Sequence, residues 1–209
     1  AWRQLLFSGS RELQSAGAAA LFEILLGSFT PGMERPREGT AFVAFGAHAV
    51  PPTLASEIAG RQGVQLLGRL WDLVASGSPL ELPAKIALQC LSALVQIMEP
   101  GITLQAIQLP TLRQATGNAM AAIQGPGPEK EKSVVVAQFL ALLSAMLTAF
   151  TIPEMLPLLE ALGPTLTHMT DLFVRCAIGT ADDVVLQVRN TMSHHLIGHL
   201  LSASPSIYN

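Results

Sequence analysis

GVQLLGRLWDLVASGSPLELPAKIALQCLSALVQIM, residues 63–98, decides the fold class. It reads as one helical run, a Ser/Gly/Pro break at 76–79, and a second run rich in Ala and Leu. Similar helical runs recur along the chain at 11–26, 109–124, 131–150, 164–178 and 182–201. Between them stand short Gly/Pro clusters, at 28–39, 99–101, 125–128, 152–154 and 163–164. Pro removes a helical donor and Gly tolerates the left-handed stop, so each cluster ends one helix and starts the next. Breaks this short make neighbouring helices pack antiparallel. Segment 29–62 is the least regular, and one or two short helices are expected there. Aromatic and β-branched residues are sparse and no period-two alternation is sustained, so strands have no support. The fold class is all-α.

Composition narrows the functional classes. The chain has 209 residues, of which 50% are apolar and 13% charged, far from the balance that keeps a chain disordered. A net charge of −3 divides evenly along the sequence, and no cluster of Lys and Arg offers the counterion release on which nucleic-acid binding depends. Cys90 and Cys176 are the only cysteines and form no CxxC pair. A reducing, intracellular setting, cytoplasmic or nuclear, fits that pattern. The N-terminal AWRQLLFSGSRELQ carries neither an initiator Met nor a signal-peptide pattern, and the chain reads as a single helical domain cut from a longer protein, with flexible loops at 29–39 and 125–130.

The 63–98 pair resembles the repeat units of armadillo and HEAT proteins. Two other stretches are similar to pieces of those repeats: RQATGNAMAAI at 113–123 to the last helix of an armadillo repeat, and DDVVLQVRNTMSHHL at 182–196 to a HEAT second helix. The resemblance implies a right-handed superhelical stack of antiparallel helix pairs, against the alternative of a single globular helical bundle. It also implies that Asn118 projects toward a concave groove, with Asn190 in a loosely similar place. Gln114 stands where a Trp would help build a peptide-binding ladder, a departure from the extended-peptide pattern. Stacked repeats gain their core from their neighbours and need about three or more copies, and the chain has room for roughly four or five.

Candidate chemistry is thin. His195 and His199 share a helix face at i, i+4, but the residues between them include no Glu and no third ligand is adjacent, so no metal site is expected. His168, Asp171 and Cys176 are the only nearby donors. No nucleophile elbow, P-loop or dinucleotide fingerprint occurs. Glu154 and Glu160 flank Pro157 and do not frame a common bond. Cys90 sits among apolar neighbours that bury it and raise its pKa. The nineteen uncharged residues at 134–152 approach the roughly 20 that span a bilayer, yet a helix apolar all round is also what the centre of a helical protein requires. Residues 40–52 are either core or an exposed anchor for a partner.

The expectation is a non-enzymatic scaffold without cofactor, presenting a helix-lined groove to a protein or peptide, including an amphipathic helix. Two rival readings are a purely structural segment of a large solenoid and an integral membrane protein. Residue type and helix placement put partner contacts at Arg69, Arg113, Asn118, Arg175, Arg189 and Asn190. Excess chelator is expected to leave thermal melting unchanged. A structural zinc contributes roughly 10–16 kcal/mol to folding, so a large fall in melting temperature on chelation would reveal a metal at the histidines.

Overall fold

The computed structural model describes residues 1–26 and 52–160, other than 152 and 159. Every element among them is a helix. In chain order these are α1 (Trp2–Leu6), α2 (Arg11–Leu26), α3 (Pro52–Ile58), α4 (Gly60–Ala75), α5 (Leu82–Ile97), α6 (Pro100–Ala106), α7 (Leu109–Gln124) and α8 (Glu129–Ala149), and helix resumes at 153–158. The runs expected at 164–178 and 182–201 and the segment 29–51 lie outside the described residues.

Proline marks several of the helix starts. Pro83, Pro100 and Pro110 occupy the first turn of α5, α6 and α7, where the missing N–H is not needed and the fixed φ already suits a helix. None of the three has a side-chain N-cap. The stop after α7 is extended backbone at Gly125, and α8 begins at Glu129. The expected 125–130 loop is therefore shorter by two residues, because the EKEK run forms the first turn of α8.

Packing follows from how each helix distributes its apolar residues. α4 is two-faced: Leu66, Leu67, Leu70, Trp71, Leu73 and Val74 are buried, while Arg61, Gln62, Gln65 and Asp72 are exposed. In α5, Ala84 and every residue from Ile86 to Val95 are buried, so that helix has no wet face. It packs against α2, α4 and α8. α4 in turn packs against α7, and α7 against α8, which gives one row of α2, α5 and α8 lying beside a second row of α4 and α7. α2 and α5 run parallel, since Arg11 and Glu81 at their N-terminal ends are 2.7 Å apart and the Cys90 Sγ lies 3.6 Å from the Ala18 carbonyl midway along. One continuous core draws on all eight helices.

The sequence expects a buried central helix at 131–150, and α8 packs against both α5 and α7. Described side chains of α8, among them Val135, Phe139, Leu142, Leu143 and Met146, are indeed buried, but α5 is the helix with neighbours on three sides. Among the described residues no helix is long and apolar enough to cross a membrane. α8 spends its first turn on charged Glu129–Lys132 and ends at Ala149, which leaves an uncharged helical length of about 25 Å against a hydrocarbon thickness of about 30 Å.

The short helices α3 and α6 are alike. Each has seven residues, starts with Pro, precedes a long helix and packs on α4. Isolated helices this short are unstable in water, so packing of residues such as Leu54, Ile58 and Ala106 makes them. The order short, long, long thus occurs twice, as α3–α4–α5 and α6–α7–α8. Matching starts fall at Pro52 and Pro100, Gly60 and Leu109, and Leu82 and Glu129, a period of about 48 residues.

Close approach is settled by one glycine at the start of the chain. A Cβ at Gly17 of α2 would overlap the Leu6 backbone of α1, so α1 can lie on α2 only because residue 17 has no side chain.

Leu91→Ala and Leu143→Ala, at 0% and 6% exposure, are each expected to cost about 2–5 kcal/mol through lost transfer energy and the cavity left behind. Exposed Gln62→Ala should stay within about 0.5 kcal/mol of the parent. Denaturant titration checks all three, and a parental midpoint for either leucine variant would contradict the packing.

Candidate interaction surface

Arg69 and Asn118 stand at matching places. Arg69 comes nine residues after Gly60, the start of α4, and Asn118 nine after Leu109, the start of α7. Their side chains do the same thing. The Arg69 Nε donates to the Leu6 carbonyl at 3.3 Å and its Nη2 to the Ser8 carbonyl at 3.2 Å. The Asn118 Nδ2 donates to the carbonyls of Ala75 at 2.7 Å and Gly77 at 3.2 Å. Leu6 and Ala75 are the last residues of α1 and α4, whose terminal carbonyls have no partner inside their own helix. α4 therefore satisfies the end of α1, α7 satisfies the end of α4, and each pins the turn that follows that end. Asp72, 3.7 Å from the Arg69 Nη1, holds the guanidinium only loosely, because its side chain is 60% exposed.

These placements sort the expected contact residues. Arg69 and Asn118 are turned inward to backbone carbonyls. Asn118 belongs to α7, which α8 follows, and its carboxamide reaches the end of α4. Arg113 and its neighbour Gln114 are exposed on α7. Arg175, Arg189 and Asn190 lie outside the described residues, as do His195, His199 and the stretch 40–51. The structure thus brings Arg69 and Asn118 into one structural role at successive positions and leaves Arg113 at the surface.

α5 lines no open groove along its middle, because every residue from Ile86 to Val95 is buried. Exposed polar side chains on α4 and α7 include Arg61, Gln62, Gln65, Arg113, Gln114 and Gln124.

The other candidates for chemistry have structural partners. Glu154 accepts hydrogen bonds from the Thr151 N–H and hydroxyl, each at 2.8 Å, and these bonds hold its carboxyl below the usual carboxylate range. Thr151 and Glu154 thereby form the start of the helix at 153–158. Cys90 is fully buried, and loss of hydration pushes its thiol well above the ordinary cysteine range, so it stays protonated and unreactive. Among the described residues no group of three or more His, Cys, Asp and Glu could hold a metal ion.

Sequence reasoning missed the Arg11–Glu81 ion pair and the equivalence of Arg69 with Asn118. The first joins residues 70 positions apart and leaves no local pattern. The second appears only once the structure starts α4 at Gly60, three residues before the expected start at 63, which brings Arg69 into register with Asn118 although the two share only the ability to donate.

Arg69→Ala and Asn118→Ala are each expected to lower stability by about 1–3 kcal/mol by leaving carbonyls unsatisfied. Asn118→Asp should cost more than Asn118→Ala, since it sets a carboxylate against two carbonyl oxygens. Gln114→Ala should be neutral within about 0.5 kcal/mol. Melting curves of the four variants check this, and coincident curves would refute the role given to the two side chains.

Comparison with protein-family models, with curated proteins and with solved structures finds no match, so any functional reading rests on this geometry.

Proposed function

We propose that the chain is a non-enzymatic α-solenoid segment of the armadillo or HEAT kind that serves as an intracellular protein-interaction scaffold. The observation that carries the reading is the recurrence of Arg69 and Asn118 at the same place in successive units, each bound to the turn of the unit before. Three features support it. The period of about 48 residues lies beside the roughly 40–47 of armadillo and HEAT arrays. The order short, long, long recurs, and like helices stack on like, α5 on α2 and α8 on α5, with α7 on α4. In a single up-and-down bundle the same contacts need not repeat in register.

The partner surface of this reading is formed by the exposed polar side chains of α4 and α7 around Arg113, in place of a groove along α5. Arg is well suited to such a role because its planar fork binds carboxylates in two places at once. The partner is a protein or peptide. A second reading, a purely architectural segment that touches only neighbouring repeats, is favoured by the burial of α5 from Ile86 to Val95 and by the use of Arg69 and Asn118 inside the stack.

Affinity capture with the parental chain and with Arg113→Glu separates the two. The scaffold reading expects a partner bound by the parent and lost by at least about tenfold, or 1.4 kcal/mol, in Arg113→Glu, with the melting temperature unchanged. Binding that ignores Arg113→Glu would overturn the assignment of this surface, and a parental chain that captures no partner would favour the architectural reading.

A further inference from the structure

We draw no further inference here: the strongest candidate, the buried carboxamide of Gln138 in α8, 1% exposed with neither its oxygen nor its nitrogen hydrogen-bonded, carries nothing because nothing in the structure shows what ligand or partner the amide would meet.

Discussion

A helix that ends against other helices must find partners for its last carbonyls, and the rest of this structure is arranged around that requirement. Here the partner comes from a helix further along the chain, α4 for the end of α1 and α7 for the end of α4. Arg69 reaches back to Leu6 and Ser8, and Asn118 to Ala75 and Gly77. The two side chains differ in charge, length and shape, yet both place N–H donors at a pair of carbonyls on either side of a helix end. What recurs is a donor at a position, which residue identity alone conceals. Each donor joins two helices that are not consecutive in the chain, α1 with α4 and α4 with α7.

Magnitudes separate what binds the stack from what aligns it. Burying Ile86, Leu88, Leu91 and Leu94 of α5 contributes about 1.5–3 kcal/mol for each side chain, whereas a hydrogen bond nets about 0.5–1.5 kcal/mol. Apolar contact therefore supplies the free energy. The donors supply register, since sliding α4 past α1 or α7 past α4 would strip these donors from the Leu6, Ala75 and Gly77 carbonyls while leaving greasy surfaces in contact, the Ser8 carbonyl keeping the Gln14 amide at 2.7 Å. α5 illustrates the division: it is held from three sides by side chains that accept many neighbours, and its place along α2 is marked by a polar pair at the end, Arg11 with Glu81. That pair is about half exposed at each partner, so it orients more than it stabilises.

Long elements were legible because their signals are local. The run 11–26 and the run 109–124 match α2 and α7 at both ends, and a Gly/Pro cluster closes each of them on its C-terminal side. A short helix was expected within 29–62, where α3 lies, but α6 was not resolved as an element. Their Pro starts read as breaks, and only contact with α4 makes seven residues hold a helix. The rank of burial was legible only in part. An uncharged stretch marks α8 as buried, but the topology that sets α5 between three neighbours depends on contacts distant in sequence. Asn118 stood out as a helix Asn, and its partner could not be read, because the carbonyls it meets belong to residues 41 and 43 positions away. Arg113 was accessible from residue type, and the structure adds that it is exposed while Arg69 is not free.

Native-state hydrogen exchange of Asn118→Ala tests the central claim most directly. If units are coupled through the helix-end donors, protection should fall by about tenfold or more, equivalent to about 1.4 kcal/mol, in the amides that close α4 and its turn, such as Ser76 and Glu81. The α1–α2 turn held by Arg69 should keep its parental protection. An equal loss of protection throughout the chain, or no change at the end of α4, would contradict a stack built from neighbour-to-neighbour contacts.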